Sequence, residues 1–265
     1  MRLNIQHITR YSFDEPVAFG LQQLRKTPIS NSHQHVLEWS TRIEGGQKEL
    51  NFEDHHQNLT ELISVANGTT SLVLRSEGWV EVKDNQGIVG RHLGLAPLWL
   101  YTRSTTLTEA RARVRDLTRK LSSNTTLDLL HELSARIRTE VAYKIGVSEP
   151  GWSAEEAIGA SHGVCQDHAH IFLACARYLG VPARYVSGYL MLDDRTTQDA
   201  MHAWTEAHID GLGWVGFDVS NGISPDARYV RVATGLDYSD AAPVSGTRIG
   251  GTGEVLEVQI EVAQQ

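Results

Sequence analysis

Short runs in which apolar and polar residues alternate fill the first hundred residues of the chain. They include VLEWSTRIEG, TELISVANG, TSLVLRS and GWVEVKD, and glycine, asparagine and aspartate separate them. Alternation with a period of two gives a strand one apolar face, and the separating residues favour turns. The pattern predicts a β-rich domain over residues 1–103.

Helical spacing replaces this alternation after residue 103. The segment TLTEARARVRDLTRKL starts at Thr106 and has an early Glu109 and a late Lys120, a charge order that suits the helix dipole. A second helix is predicted in TTLDLLHELSARIRTEVAY, whose apolar residues form one face. We therefore expect a linker near residues 101–105 and a second domain over residues 104–265.

Two further helices are predicted in SAEEAIGASHGVCQDHAHIFLACARYLG. Ser153 and Glu156 have the spacing of a capping box, and the short helix that they open should end near Gly159. The longer helix should begin around Cys165 and stop at Gly180, because a proline follows two residues later. Its apolar stripe consists of Ala169, Phe172, Leu173, Ala176 and Leu179.

Alternating segments follow the long helix. ARYVSGYL predicts a strand, DDRTTQDA a polar loop, and MHAWTEAHI with GWVGFDV a hairpin closed by the turn DGLG. The tail reads as a glycine-rich loop, SGTRIGGTGE, and a final strand, VLEVQIEV. The two segments of the hairpin are therefore expected to form an antiparallel pair of strands.

Composition and charge narrow the classes of function. The chain is 41% hydrophobic and 21% charged, as folded proteins are, and its formal net charge of −8 argues against a nucleic-acid binder. Its start lacks the apolar core of a signal peptide, and no stretch reaches the roughly 20 apolar residues that span a bilayer. We therefore expect a cytoplasmic protein that binds neither nucleic acid nor membrane.

Both cysteines, Cys165 and Cys175, lie in the predicted long helix. Ten helical residues at about 1.5 Å each separate them by roughly 15 Å, which is too far for a disulfide. Two free thiols suit a reducing compartment. Cys175, in the middle of the helix, is predicted to be a core residue. Cys165 lies in the first turn, where unpaired N–H groups and the helix dipole favour a thiolate.

A nucleophilic thiol needs a base that takes its proton and later returns it to the leaving group, and histidine suits both steps. Among twelve histidines, His202 is distinguished because it opens a strand whose hairpin partner carries Asp218. A two-residue turn puts Asp218 opposite Ala203, and a four-residue turn puts it opposite Thr205. Either register returns the acid to the start of the first strand, where it could orient the histidine.

The segments that hold these residues resemble a known family. GVCQDHAHIFLACARYLGVPARYVSGYL with HAWTEAHIDGLGWVGFDVSNG resembles the core of the bacterial transglutaminase-like superfamily, whose members are often described as proposed cysteine proteases. The resemblance implies the α+β fold class, with a papain-like core in which a helix packs on an antiparallel sheet. It also implies Cys165, His202 and Asp218 as nucleophile, base and orienting acid. Weaker similarity in HITRYSFDEPV, LRKTP, DHHQNLTELIS and GLDYSDAAPVSG extends to the β-rich domain that precedes this core and to the terminal loop.

Three places depart from the pattern of that family. Members more often have an aromatic residue where His168 stands, a glycine where Gln57 stands, and Pro-Thr where Val219 and Ser220 stand. None of these is one of the three candidate catalytic residues. The last departure bears on the shape of the active site.

Several possible metal ligands lie near Cys165 in the sequence. The possible ligands are His162, Cys165, Asp167, His168 and His170. In a helix, however, His170 points away from the face that carries Cys165. No second pair of ligands completes a tetrahedral set. We therefore expect neither a metal nor a cofactor.

The sequence thus predicts a cysteine enzyme that transfers the acyl group of a peptide, protein or small amide. The thioester on Cys165 would be resolved by water, as in a protease or amidase, or by an amine, as in a transglutaminase, and descriptions of bacterial members favour water. The N–H of Cys165 should donate to the oxyanion. The second donor is left open among Gln166 and the indoles of Trp152, Trp204 and Trp214. These indoles and Tyr143 could line a cleft, but core packing is the preferred interpretation of the aromatic residues. The alternative is an inactive binding module of the same fold.

Overall fold

The computed structural model describes residues 1–148 and 151–265, in which strands predominate. The strands are β1 (Arg2–Leu24), β2 (Gln34–Glu44), β3 (Gly46–Glu53), β4 (Leu59–Val65), β5 (Thr69–Val82), β6 (Ile88–Gly90), β7 (Ala142–Tyr143), β8 (His162–Gly163), β9 (Ala183–Leu190), β10 (Thr197–Gln198), β11 (His202–Ile209), β12 (Gly213–Phe217), β13 (Tyr229–Gly235), β14 (Val244–Gly250) and β15 (Val255–Gln264). The α-helices are α1 (Ala112–Arg119), α2 (Thr126–Glu140), α3 (Ala154–Ala160), α4 (Cys165–Tyr178) and α5 (Tyr238–Ala241). This content confirms the α+β class.

β1 forms the centre of an eight-stranded antiparallel sheet. Its first half pairs with β5 and β15, and its second half pairs with β4 and β14. The ladder to β5 is interrupted between Ser12 and Val17, around Pro16, because proline has no N–H to donate to a neighbouring strand. β2, β3 and β10 complete the sheet beside β5, β4 and β15.

A second antiparallel sheet has the strand order β13-β9-β11-β12-β6, and α4 packs against β9 and β11. This is the predicted arrangement of a helix on an antiparallel sheet. Phe172 of α4 belongs to the same buried apolar cluster as Leu3, Ile5 and Val262 of the first sheet. The two sheets therefore share one hydrophobic core.

Neither sheet is confined to one side of residue 103. β6, from the N-terminal side, pairs with β12, whereas β10, β14 and β15, from the C-terminal side, complete the sheet around β1. The division into domains at 1–103 and 104–265 stays a prediction. Within the described residues, no helix is long and apolar enough to cross a membrane.

The first helix begins later than its sequence predicts. The segment from Thr106 forms only a short 3-10 turn, and α1 starts at Ala112. The reason is a cap from elsewhere in the chain, because the Glu155 carboxylate accepts from the backbone N–H groups of Arg113 at 3.1 Å and Val114 at 3.0 Å. Those N–H groups are donors that a helix start leaves without intrahelical partners.

The first part of the glycine-rich tail is a strand rather than the predicted loop, and only residues 251–254 form a loop. β14 runs antiparallel to β1, with Gly246 opposite Gln22. A Cβ at Gly246 would lie 2.2 Å from the carbonyl oxygen of Leu21, so close backbone approach requires the glycine. A smaller difference concerns Leu179, which was predicted in the apolar stripe of α4 but is 37% exposed.

Arg177 anchors the C-terminal end of α4. Its buried guanidinium donates to the carbonyl oxygens of Ala183, Tyr101 and Leu236 and to the hydroxyl of Thr108. Gly180 follows the helix with a φ of +81°, as a left-handed residue just past the helix end should. The helix is thus held at the end opposite Cys165, which keeps its first turn in a defined place.

Candidate active site

Cys165 is the first residue of α4, as predicted, and its side chain is partly exposed. At this position its N–H has no acceptor within the helix. The turn before it is held by Asp167, whose Oδ2 accepts from the Val164 N–H at 2.8 Å. A Cβ at Gly163 would lie 2.7 Å from the same oxygen, so the tight turn requires glycine there.

His202 opens β11 and pairs with Gly188 of β9. In the hairpin, Thr205 lies opposite Phe217, and the three residues 210–212 form the turn. Extending that register by one residue puts Asp218 opposite Trp204, between the two registers predicted from the sequence. The backbone of Asp218 leaves this ladder and instead bridges to Ile223.

The structure brings the three predicted residues together. His202 Nε2 lies 2.6 Å from Asp218 Oδ2, and Cys165 is close enough to influence the charge state of the imidazole. Because Nε2 donates to the carboxylate, Nδ1 is the nitrogen left for the thiol. The His202 ring packs at a 26° angle to the ring of Trp204, with 6.2 Å between centroids, which limits its rotation.

Charge and burial oppose each other at His202. Burial by itself lowers the pKa of the imidazole, but the charge and hydrogen bond of Asp218, with a smaller contribution from Cys165, raise it to about 10. Burial would likewise raise the pKa of Asp218, but His202 and two further hydrogen-bond donors lower it. The imidazolium of His202 and the carboxylate of Asp218 therefore form a charged pair.

Two residues that the sequence analysis missed complete the surroundings of Asp218. The Tyr229 hydroxyl and the Asn221 amide nitrogen each donate to Oδ2 at 2.7 Å. Oδ1 accepts from the Asn221 backbone N–H at 3.2 Å, so the carboxylate also closes the turn that the SNG segment suggests. Tyr229 comes from β13, and no local feature of the sequence indicates that this strand would reach Asp218.

Cys165 and His202 line a cleft of about 560 Å³ between the two sheets, and Asp218 is buried behind His202. Cys165, Gln166, Tyr143 and His202 lie on one side of it. The other side consists of strand residues of the first sheet, among them His7, Thr9, Tyr11, Leu256 and Val258. Residues from both ends of the chain therefore line the same cleft as the thiol, which the sequence did not predict.

The structure narrows the candidates for a second oxyanion donor that the sequence offered. Trp204 and Trp214 are buried, and the Trp214 indole donates to His92 instead. Trp152 stacks on His162 and does not line the cleft. Of the four candidates, only Gln166 lines the cleft with Cys165, and Tyr143, which the sequence analysis did not propose as a donor, lines it as well.

Tyr143 keeps its proton in this environment. Burial, followed by the negative charges of Cys165 and Asp218, raises the pKa of its phenol to about 12. A protonated phenol beside the thiol can donate a hydrogen bond but cannot act as a base near neutral pH.

His168 takes part in two hydrogen bonds rather than in a ligand cluster. Its Nε2 lies 2.9 Å from the Val141 carbonyl oxygen and its Nδ1 lies 2.9 Å from the Ser220 hydroxyl. Across residues 1–148 and 151–265, no group of three or more His, Cys, Asp or Glu side chains could hold a metal ion.

Two family models match the chain. The transglutaminase-like superfamily model matches residues 111–219, which include Cys165, His202 and Asp218, and the bacterial transglutaminase-like N-terminal region matches residues 3–81. The chain belongs to the transglutaminase-like superfamily. The resemblance noted in the sequence is therefore confirmed for both the core and the β-rich region that precedes it in this superfamily.

Relatives of this transglutaminase-like chain span nearly its whole length. An uncharacterised protein of Mycobacterium leprae is 27% identical over 99% of both chains. An uncharacterised protein of Mycobacterium tuberculosis is 26% identical over 98% of this chain and 92% of its own. The crystal structure of a proposed cysteine protease from Cytophaga hutchinsonii is similar in fold, with a TM-score of 0.81 and 20% identity over 99% of this chain and 90% of that one.

Proposed function

We propose that this protein transfers the acyl group of an amide to water through a thioester on Cys165. His202 serves as the acid and base, and Asp218 orients it. The substrate is a peptide, a protein or a small amide. Membership of the superfamily supports a cysteine hydrolase or transferase, and the contacts around Cys165 support this particular assignment of roles.

One observation carries the proposal. The imidazole of His202 donates to Asp218 Oδ2 at 2.6 Å, and it lines a cleft of about 560 Å³ together with the Cys165 thiol, which lies at the start of a helix. Each part has a chemical role, since the helix start and the imidazolium stabilise a thiolate and the carboxylate holds the imidazole in one tautomer.

The reaction follows from these positions. The thiolate attacks the amide carbonyl carbon, and the oxyanion receives hydrogen bonds from the Cys165 N–H and from Tyr143 or Gln166. The C–N bond breaks as His202 protonates the departing nitrogen, which leaves a thioester and a neutral imidazole. His202 then takes a proton from water, the hydroxide attacks the thioester, and the thiolate departs with the carboxylic acid as product.

Water is the proposed acceptor because the cleft opens to solvent beside the thiol. Tyr143 is 48% exposed and Ile145 is 72% exposed at its mouth. Water therefore reaches a thioester at Cys165 without a second bound substrate. An amine that occupied the same position would give transamidation through the same three residues.

A panel of acyl donors tests the proposal. Wild type, Cys165→Ala and Cys175→Ala are incubated with peptide, glutamine-amide and small-amide substrates, with and without a primary amine. We expect hydrolysis by wild type and Cys175→Ala and none by Cys165→Ala. If products form only when the amine is present, the reaction is transamidation rather than hydrolysis. Activity in Cys165→Ala would show that Cys165 is not the nucleophile.

The reactivity of the Cys165 thiol distinguishes an active enzyme from an inactive binding module of the same fold. An activated thiol reacts with iodoacetamide at about pH 6, where a free cysteine hardly reacts because few of its thiols are ionised. If Cys165 reacts no faster than a free cysteine, the site lacks an activated nucleophile and the binding module is the better description.

We also propose a cytoplasmic location. Cys165 and Cys175 are both free thiols, which suits a reducing compartment. Titration of protein isolated without reductant should give two free thiols for each chain. A modified or disulfide-linked Cys165 in that preparation would count against this location.

A further inference from the structure

His168 connects three segments that surround the candidate nucleophile. It lies three residues after Cys165, in the first turn of α4, and its side chain is 1% exposed. Nε2 lies 2.9 Å from the carbonyl oxygen of Val141, and Nδ1 lies 2.9 Å from the hydroxyl of Ser220. Both ring nitrogens are therefore engaged with other parts of the chain.

The partners determine the tautomer of His168. A carbonyl oxygen can only accept, so Nε2 carries the hydrogen and donates to Val141. Nδ1 is then the acceptor, and the Ser220 hydroxyl donates to it. Burial lowers the pKa of this imidazole, which keeps it neutral with one donor and one acceptor. A neutral ring satisfies both contacts at once, and a protonated ring would leave Ser220 without its acceptor.

Each contact holds a different functional element. Val141 leads directly into β7, where Tyr143 pairs with Gly163 of β8, two residues before Cys165. Ser220 lies two residues after Asp218, in the turn whose amide nitrogen at Asn221 donates to the Asp218 carboxylate. The imidazole thus ties the strand of Tyr143 and the turn of Asp218 to the helical turn that carries the thiol.

We propose that His168 is a positioning residue that sets the separation between the Cys165 thiol and the His202–Asp218 pair. It does so by holding the Asp218 turn through Ser220 and the Tyr143 strand through Val141. The inference rests on the proposed function, because separation matters only where His202 activates the thiol. His168 itself touches neither the substrate position nor the reacting atoms.

Two matched variants at Ser220 test this role. Ser220→Thr keeps the hydroxyl, whereas Ser220→Val has the same shape as threonine and lacks it. The rate of Cys165 alkylation by iodoacetamide is measured from about pH 5 to about pH 9, a range in which an activated thiol and a free cysteine differ most. His168→Phe, which fills the same space without either hydrogen bond, is measured in the same way.

We expect Ser220→Val and His168→Phe to alkylate about fivefold or more slowly than wild type at pH 6, the factor for one lost hydrogen bond. Their profiles should move toward that of a free cysteine, and Ser220→Thr should restore the low-pH reactivity that Ser220→Val loses. Thr205→Val is the control for lost stability, because it removes a buried hydroxyl that donates to the Phe217 carbonyl oxygen at 3.1 Å in the same sheet. Its profile should match wild type.

The outcomes separate this inference from the proposed function. If wild type reacts rapidly at about pH 6 and Ser220→Val keeps that profile, the positioning role is overturned while the activated thiol stands. If wild type itself reacts like a free cysteine, the proposed function fails. If His168→Phe does not fold, as judged by circular dichroism, the Ser220 pair decides the question alone.

Discussion

His202 Nε2 and Asp218 Oδ2 are 2.6 Å apart, and the same carboxylate oxygen accepts hydrogen bonds from Tyr229 and Asn221. Three donors converge on one oxygen of a fully buried side chain. They lower the pKa of Asp218 against the effect of burial, so the carboxylate stays ionised and keeps its partner imidazole protonated.

Asp218→Asn should therefore abolish most of the activity. An amide has no charge to stabilise the imidazolium and can turn its NH₂ toward His202, which stabilises the wrong tautomer. We expect kcat/KM to fall on the order of 10²- to 10⁴-fold. Asp226→Asn is the matched control, because Asp226 pairs with Arg228 on the surface beside this turn. Equal losses in the two variants would contradict the orienting role.

Iodoacetamide should label the thiol of Cys165 but not that of Cys175 in the native protein. Cys175 is fully buried, and burial, with a smaller effect of Glu155, raises the pKa of its thiol well above the usual range. Native wild type should take up a single iodoacetamide adduct by intact mass, and Cys165→Ser should take up none until it is unfolded. Labelling of native Cys165→Ser would show that Cys175 is accessible.

Tyr143→Phe should slow the chemical step while leaving substrate binding nearly unchanged. The phenol lines the cleft beside Cys165, and its raised pKa of about 12 keeps the donor proton in place. Loss of one oxyanion donor typically costs about 10²- to 10³-fold in kcat. Gln166→Leu is the comparison. A large loss there, with none in Tyr143→Phe, would assign the second donor to the Gln166 amide.

The buried Lys26 should make the free energy of unfolding depend on pH above about pH 7. Its ammonium is fully buried, donates to Thr9 Oγ1 at 3.1 Å, and burial lowers its pKa from 10.5 to about 7. Between those values the unfolded chain binds the proton and the folded chain does not. The free energy of unfolding contributed by Lys26 therefore rises with pH from about 7 to about 10.5.

Denaturant unfolding of wild type and Lys26→Met across this range measures that contribution. His202, whose pKa is raised to about 10, contributes stability that is lost as pH rises through that value, but it is present in both proteins and cancels in the difference. We expect the stability of Lys26→Met relative to wild type to fall by a few kcal/mol from about pH 7 to about pH 10. If the difference in unfolding free energy between the two proteins does not vary with pH, the lowered pKa of Lys26 is contradicted.

Local rules predicted the elements near the thiol well. The Ser153 and Glu156 capping box opens α3, α4 begins at Cys165, and Gly180 follows its end. These signals act within one or two turns of chain, so the residues themselves carry them. The sequence also proposed His202 and Asp218 as partners of Cys165, because a hairpin returns to its start whichever short turn closes it.

Contacts between residues far apart in the chain could not be predicted from the sequence, because they depend on packing. His168 and Ser220 looked like unrelated departures from the family pattern, 52 residues apart, and only packing of α4 against the Asp218 turn made them partners. Packing between distant segments also explains three other features that the sequence did not predict. These are the cap of α1 by Glu155, the strand at Gly246 and the part of the cleft lined by His7.

The sequence by itself determined the helix that starts at Cys165, the α+β class and the residue types available for catalysis. The tertiary structure decided the hairpin register that brings Asp218 to His202, the donors from Tyr229 and Asn221, and the wall of the cleft. Periodicity and capping depend on neighbours in the chain, whereas these contacts depend on how sheets and helices bury their apolar faces together.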